Sequence, residues 1–561
     1  MNPFFKKYKY FTLLYILVFI GALFSQCAQI IPLSGGEKDV LPPRMVKSTP
    51  ENASTDFKGN ELIIEFDEYI QLRDLQNQLI ITPKLKEQPD IQPRGKTLSL
   101  KFNETLKPNT TYSINFGNSI IDLHEGNKLS GYEFVFSTGS TLDSLKLTGQ
   151  LSDAFTLEPV KSAWVMLYEN TSDSVVFKEK PDYLAQTDDK GHYEVRYLKK
   201  GNYKVFALKD NNGNFLYDTG EAIAFPTATA STIEKNDTLN MIALKENPSR
   251  VYIKKMNQPY QGKAQIVFNT SPNIIDNILV KNKRASYEKE NVAWSLSKQR
   301  DTINFYYRHI YNDTLTLYIR YNSTLIDSCK ISIATKEEVD KMLSKKRMPF
   351  EVYPSFSPSQ PYAYFKKIAF RSNRMLAAIK PGKILMTEEN DTIRLASNNF
   401  KQQGPDSLYI DYTLKPEKEY KLLILPEAFA DNEGNGHDTL RYKFKTQSAD
   451  YYSSLQLKLE LPAQQHWLIQ LYNSKGQLQA EKTFSSVSSS ADATIKKELL
   501  FDKIGADTYS LKLICDTNAD GRYTPGTYIN KTRSEKVYNY NQPIKILADW
   551  EAEIEWKLNA F

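Results

Sequence analysis

Cysteine and histidine are scarce in this chain, 3 and 5 among 561 residues. His124, His192, His309, His437 and His466 are scattered, so no HxxxH, HExxH or Cys/His spacing is present that would hold zinc. GxSxG elbows, P-loops and GxGxxG turns are missing as well, which removes the common hydrolase and nucleotide-binding signatures. An excess of one charge is lacking too. The formal charge of +6 falls to about +3 if Lys6, Lys7 and Lys9 leave with a leader, too little for a nucleic-acid partner. Paired carboxylates such as Asp67-Glu68 are read as neighbours in a strand, pointing to opposite faces, and so unable to share a substrate. An enzyme is not expected.

What the chain does contain is tyrosine and phenylalanine, 35 and 28, residues that suit pleated, half-buried surfaces. Hydrophobic residues at 41% and charged residues at 25% give a globular balance, and the length alone implies several domains. The N-terminus differs from the rest. Three lysines precede the apolar run from Phe11 to Ser25, which is shorter than the roughly 20 residues of a membrane-spanning helix and has the polarity of a secretory signal. Leu23-Phe24-Ser25-Gln26-Cys27 resembles the lipobox of bacterial lipoproteins, although Gln26 stands where a small residue is usual. The resemblance implies cleavage before Cys27 and acylation of its thiol, and two or three chains would anchor the protein stably. Residues 1–26 are then a signal peptide and 27–43, which contain IPLSGGEKDVLPP, a lipidated tether too polar to pack. With Cys27 used, Cys329 and Cys515 are expected to be small buried hydrophobes in different domains, and no disulfide framework is possible.

Beyond the tether, period-2 patterns dominate: Leu62 to Phe66, Leu98 to Phe102, Tyr112 to Phe116 and Tyr132 to Phe136 read as half-buried strands separated by turn clusters. With FDEYI, LKPNTTYSINFG, DLHEGN and FVFSTG, residues 44–140 (segment A) resemble the bacterial Ig-like domain first described in S-layer proteins, which implies a spacer or docking role. Residues 141–247 (segment B) carry Asp189-Lys190-Gly191 before one strand and Gly201-Asn202-Tyr203 at the start of another. They resemble the small prealbumin-like sandwich found beside carboxypeptidases and in surface adhesins, again implying a structural role. Residues 248–334 (segment C) are all-β with no recognised family. Residues 335–348 read as a linker helix, because Thr335 and Glu338 form a capping box and Val339 and Leu343 share a face.

The chain then repeats itself. Leu414-Lys415-Pro416-Glu417-Lys418-Glu419-Tyr420 echoes Leu106-Lys107-Pro108-Asn109-Thr110-Thr111-Tyr112, and the offset of 308 also aligns Glu125-Gly126-Asn127 with Glu433-Gly434-Asn435. Residues 349–448 (A′) are read as a second Ig-like domain. Residues 449–561 (B′) are read as a second copy of B, since Tyr203, Asp210 and Gly220 fall on Tyr509, Asp516 and Gly526 at an offset of 306, with Trp467 a looser partner of Trp164. The expected fold is all-β, a tandem array of Ig-like and prealbumin-like sandwiches with one short linker helix.

One candidate metal site stands out. Asp210, Asn212, Asn214, Asp218 and Glu221, with the Leu216 carbonyl, fall at the oxygen positions of a twelve-residue calcium loop. Position 6 is Phe215 where glycine is usual, so the sharp turn is assigned to Gly213. The other reading is an Asn/Gly-rich hairpin turn without an ion. The copy beginning at Asp516 has glycine at position 6 but Thr524 and Thr527 where acids are wanted, so calcium is weaker there. Any such ion would be structural; no organic cofactor is implied.

Asp followed by Ser or Thr and an aliphatic residue occurs eight times, against about two expected from composition. This resembles the O-glycosylation acceptor motif of some Gram-negative bacteria and would place sugars on Ser144, Ser174, Thr238, Thr302, Thr314, Thr392, Ser407 and Thr439. The alternative is turn chemistry, in which the Asp and hydroxyl side chains cap the chain before a strand. The sequence as a whole points to a non-enzymatic outer-membrane lipoprotein, a multi-domain β scaffold or accessory subunit working with protein partners that include an integral β-barrel complex. A surface glycan-binding lipoprotein using exposed Tyr and Trp is the alternative. A hydrolase with an unrecognised site in segment C is the third reading.

Overall fold

The structure is a computed structural model that describes residues 39–226, 231–248, 250–260, 262–271, 275, 277–281, 291–297, 300–308, 310–321, 324–338, 341, 350–431, 434–486 and 494–558. The expected leader, Cys27 and most of the tether lie outside the described residues. The chain forms two compact units, Met1–Ser144 with Tyr197–Lys199, and Leu145–Arg196 with Lys200–Phe561. Both are built almost wholly of strands. No helix among the described residues is long and apolar enough to cross a membrane.

The first unit contains β1 (Met45–Thr49), β2 (Glu61–Phe66), β3 (Ile70–Leu72), β4 (Ile80–Thr82), β5 (Asp90–Arg94), β6 (Thr97–Lys101), β7 (Thr111–Asn115), β8 (Ile120–Asp122) and β9 (Glu133–Ser137). One sheet has the order β1-β2-β6-β5, a second β4-β7-β9, and β3 pairs with β8. Leu62, Ile64, Phe66, Leu98 and Leu100 from the first sheet pack against Tyr112, Ile114, Phe116, Phe134 and Phe136 from the second. Each such side chain contributes about 1.5–3 kcal/mol of burial. Strict in-out alternation holds in β2. It fails in β7 and β9, where Thr111 to Ile114 and Phe134 to Ser137 are buried without a break. Apart from Val135, the buried outward positions there are small hydroxyl residues satisfied by their neighbours: Ser113 donates to Glu133, Thr111 Oγ1 accepts from the Asp143 amide, and Ser137 Oγ accepts from the Gly139 amide.

Asp67 and Glu68 lie in the bend after β2, not in a strand, and the Asp67 carboxylate accepts the Arg44 amide at 2.7 Å. A run that looked extended ends here because the chain must turn towards β3. The helical content also exceeds the single linker helix expected, with short α-helices at Leu75–Gln78 and Val175–Lys178. Thr335 and Glu338 do form the reciprocal box, Glu338 N to Thr335 Oγ1 at 3.2 Å and Thr335 N to Glu338 Oε2 at 2.9 Å. Val339 and Leu343 lie outside the described residues.

In the second unit, A′ has sheets Val352–Pro354, Ile368–Ser372, Ser407–Ile410, Phe400–Gly404 and Ile384–Glu388, Glu419–Ile424, Leu440–Lys445, with Leu376–Ile379 paired to Phe429–Asp431. That is the strand order of A, with Asp391–Ile393 added at one edge. B and B′ correspond in the same way. Leu145–Asp153 runs parallel to Met241–Lys245, and Tyr452–Pro462 parallel to Glu551–Lys557. Trp164–Tyr168 pairs with Gly201–Lys209 as His466–Tyr472 pairs with Asp507–Cys515. Register corrects one alignment: Trp164 opposes Leu208, whereas the residue opposing the equivalent Ile514 is Leu468. Trp467 is therefore one position out and faces the opposite side of its sheet, where it is buried with Nε1 donating to Ser486 Oγ at 3.1 Å. Segment C contributes two further sheets around a core of Ile266, Phe268, Phe305, Leu315, Leu317 and Ile331.

Candidate functional site

The acidic loop of B follows the strand Gly201–Lys209. Asp210 organises it: Oδ1 accepts the Asn212 and Gly213 amides at 3.0 and 2.7 Å, and Oδ2 the Phe215 amide at 2.8 Å. Asn212 Oδ1 accepts the Asn214 amide at 3.0 Å, and Asn214 Oδ1 that of Leu216 at 2.7 Å. Glu221, 4% exposed, closes the loop by accepting from Asn211 at 2.7 Å and Asp218 at 3.1 Å. The remaining charge, on Asp218, is met by the Nδ2 groups of Asn212 and Asn214, each at 2.8 Å. Among the described residues, no group of three or more His, Cys, Asp or Glu side chains is gathered closely enough to hold a metal. The turn assigned to Gly213 alone is shared: Gly213 has φ +74° and Phe215 itself φ +59°. A phenylalanine in the left-handed region costs about 1–2 kcal/mol, and its ring is held edge-on to Trp164 at 5.3 Å.

The loop of B′ has the same frame. Asp516 Oδ2 accepts the Gly521 amide at 2.8 Å and Oδ1 that of Asp520 at 3.1 Å. Its closing acid is not at Thr527, where residue counting looks for one, but at Glu535. That carboxylate accepts from Thr517 and Thr524, each amide at 2.8 Å, as Glu221 does from Asn211 and Asp218. Burial pushes the Glu535 carboxyl up despite those donors. An insertion separates Thr524 from Glu535 and doubles back through a Thr527–Thr532 bridge. Gly526 permits the crossing, because a Cβ there would lie 2.5 Å from the Thr532 carbonyl oxygen.

That insertion carries Tyr528 into segment B. The tyrosine is 2% exposed and belongs to the cluster of Met166, Tyr168, Val176, Phe206 and Phe225. Its ring meets Phe225 at 5.0 Å and Phe206 at 5.1 Å, and its hydroxyl donates to the Asp173 carbonyl at 2.9 Å. The Asp173 carboxylate, beside Lys204 at 2.5 Å and Lys531 at 3.1 Å, is held down at about 2 by those two ammonium groups. The contact is reciprocal. Phe155 of B packs on Leu468, Ile514, Val537 and Tyr523 of B′, the ammonium of Lys512 lies 4.3 Å from its ring centre and donates to its carbonyl, and Asn539 Nδ2 donates to Thr156 O at 3.1 Å. Each copy thus takes an aromatic side chain of the other onto its outer sheet face.

The LKPxxxY stretches explain themselves as well. Tyr112 Oη accepts the Lys107 amide at 2.8 Å and Tyr420 Oη the Lys415 amide at 2.9 Å, so each tyrosine pins the corner before its own strand. Thr138 and Thr446 brace the same corners, donating to the Lys107 and Lys415 carbonyls, both at 2.7 Å. Residues 39–138 match the family model of the bacterial Ig-like domain. This stretch is similar to bacterial Ig-like domains. Among solved structures, the S-layer protein rSbsC(31-844) is 10% identical, covering 90% of this chain and 68% of its own at a TM-score of 0.14. The major pilin subunit BcpA of Bacillus cereus is 10% identical, covering 74% and 99% at 0.15, and dimeric latent PorU from Porphyromonas gingivalis is 10% identical, covering 68% and 43% at 0.19. No curated protein matches the sequence.

In the Ig-like domain the DLHEGN loop is a carboxylate nest. Asp122, 1% exposed, accepts from His124, Glu125 and Gly126 through Oδ1 at 3.0, 2.6 and 2.9 Å and from Asn127 through Oδ2 at 2.6 Å. Burial opposes its charge, but the four amides outweigh burial and hold the carboxyl below the usual range. In A′ the matching Asp431 accepts the Asn435 amide at 2.8 Å and pairs with Arg374 at 2.9 Å. His124 is exposed. His437 is buried, its Nε2 accepting the Phe429 amide at 3.2 Å and its Nδ1 facing the Asp438 carbonyl at 2.6 Å, a structural arrangement.

The eight hydroxyl residues proposed as sugar acceptors all sit at the start of an element. Thr238, Thr302, Thr314, Thr392 and Ser407 lie in the first two residues of strands, Ser144 and Thr439 just before strands, and Ser174 just before the helix Val175–Lys178. Asp237 and Asp313 accept the amides of Thr238 at 2.8 Å and Thr314 at 2.6 Å, and Asp301 accepts from Thr302 Oγ1 at 3.0 Å. Ser144, Thr238 and Thr392 are exposed and the other five half-buried. Cys329 and Cys515 are free and only partly covered, and burial pushes the Cys329 thiol up to about 12.

Proposed function

We propose that this protein is a non-enzymatic outer-membrane lipoprotein, anchored through Cys27, that serves as a β scaffold or accessory subunit of an envelope complex containing an integral β-barrel. The reciprocal B–B′ contact supports this reading most directly. Tyr528 and Phe155, each taken up by the other copy, hold the two domains together. The Ig-like domain at residues 39–138, immediately after the tether, agrees with a spacer or docking role. Cross-linking mass spectrometry on intact membranes is the test. A barrel protein should be cross-linked in the wild type, and Cys27→Ala should move the protein to the soluble fraction. Recovery of the wild type with no membrane-protein partner would sink the scaffold reading.

Calcium is the proposed structural ion for the Asp210 loop. Asn212 and Asn214 turn their NH2 groups to Asp218; rotation of those amides would present oxygens to a cation beside Asp210, Asp218, Glu221 and the Leu216 carbonyl. Extracellular calcium modules bind at about 10⁻⁴–10⁻³ M. About 10 mM calcium should then stabilise the second unit by roughly 1.4–2.7 kcal/mol over EDTA. Calorimetry of the wild type and Glu221→Gln decides the matter: an unmoved wild-type transition, or an equal shift in the variant, ends the proposal. Glu535→Gln reports separately on the second loop.

A further inference from the structure

Where A′ meets B′ inside the second unit, the chain leaves an open cleft of about 590 Å³. Its lining includes the aromatic residues Phe356, Tyr362, Tyr451 and Tyr452 together with Gln360, Gln447 and Lys366. The aromatic side is held by contacts outside the cleft: Tyr452 meets Phe365 edge-on at 5.0 Å, Phe356 meets Phe444 at 4.4 Å, and Tyr362 Oη donates to the Lys367 carbonyl at 2.7 Å. Tyr451 is 43% exposed, yet its ring is positioned, edge-on to Tyr452 at 5.1 Å and against Gly505, where an added Cβ would approach it to 3.3 Å. The side-chain amides of Gln360 and Gln447, the ammonium of Lys366 and the hydroxyl of Tyr451 form no hydrogen bond with the described protein. The lining contains no carboxylate and a single cation.

We propose that this cleft binds a neutral oligosaccharide, with Tyr451 as the stacking platform and Gln360 and Gln447 as hydroxyl readers. A sugar ring presents an apolar C–H face and an equatorial rim of hydroxyls. The first suits an amphipathic aromatic face, and the second suits amide side chains that both donate and accept. An anionic ligand would meet only Lys366, and a purely apolar one would strand the amides. The proposal does not depend on the scaffold reading, since a scaffold can also hold a glycan.

Affinity electrophoresis of the full chain through gels containing dextran, laminarin, galactomannan or alginate tests it. Retardation is expected with at least one of the three neutral polymers and not with alginate. Tyr451→Ala should weaken that retardation at least tenfold, Gln447→Ala severalfold, and Tyr451→Trp should preserve it. Tyr451→Ala is expected to remain folded with a single transition, because the residue is 43% exposed. Unchanged mobility of the wild type in all four gels overturns the proposal, as does equal retardation of Tyr451→Ala. Binding confined to alginate would show charge attraction in place of ring recognition. Retardation lost in Tyr451→Ala and restored in Tyr451→Trp separates stacking from a folding defect.

Discussion

Tyr528→Ala should destabilise the second unit by about 3–5 kcal/mol, the range for removing a large aromatic side chain from a packed core. The variant loses ring contacts with Phe206, Phe225 and Phe177 and leaves a cavity in a cluster made otherwise by segment B. It also strips the Asp173 carbonyl of its 2.9 Å donor. Tyr528→Phe keeps the ring and should cost only about 1 kcal/mol, the net worth of one hydrogen bond. Hydrogen exchange separates local from global effects. Amides of Val175–Lys178 and Gly201–Lys209 should exchange faster in Tyr528→Ala, while those of β2, β6 and β7 keep their wild-type protection. Unchanged exchange in both strand and helix of segment B would mean that the B–B′ contact does not form in solution.

Asp122→Ala should destabilise the Ig-like domain by about 2–4 kcal/mol, because four backbone amides lose a charged acceptor at once. The same carboxylate makes stability depend on pH in a definite direction. Its folded-state value lies below the ordinary one of about 3.9. Its contribution is therefore fully present above that ordinary value and is lost as pH falls through the lower, folded-state value. The melting temperature of the first unit should drop between about pH 5 and pH 2 in the wild type, and drop less in Asp122→Asn, which starts lower. Parallel pH profiles for the two proteins would assign the acid sensitivity to other carboxylates.

These two residues also show what a sequence can and cannot disclose. The repetition of the stretches ending in Tyr112 and Tyr420 was legible, whereas the hydrogen bond that each tyrosine makes to an amide five residues upstream was not. The alternating strands were legible as patterns, except in β7 and β9, where Thr111, Ser113 and Ser137 occupy outward positions yet are buried with hydrogen-bond partners. The DLHEGN motif was legible as a loop of the Ig-like resemblance, but not that Asp122 would draw in four of its backbone amides, among them that of His124. Glu535 escaped notice because counting twelve positions from Asp516 stops at Thr527, and only the folded insertion shows which acid closes the loop. Tyr528 gave no signal at all. It is an ordinary tyrosine in a Gly/Thr-rich stretch, and its partners lie hundreds of residues upstream.

That separation shapes how the chain must mature. Tyr528 and Asp173 are 355 residues apart, and a chain emerging from its N-terminus presents the aromatic socket of segment B long before the tyrosine that fills it. Contacts of such span close slowly, and exposed apolar surface invites aggregation meanwhile. Segment B thus stays an unfinished domain until residue 528 has been made. A truncation anywhere before residue 528 leaves that socket open and exposes apolar surface on a domain hundreds of residues upstream of the missing tyrosine, since Asp173 and Tyr528 lie 355 residues apart.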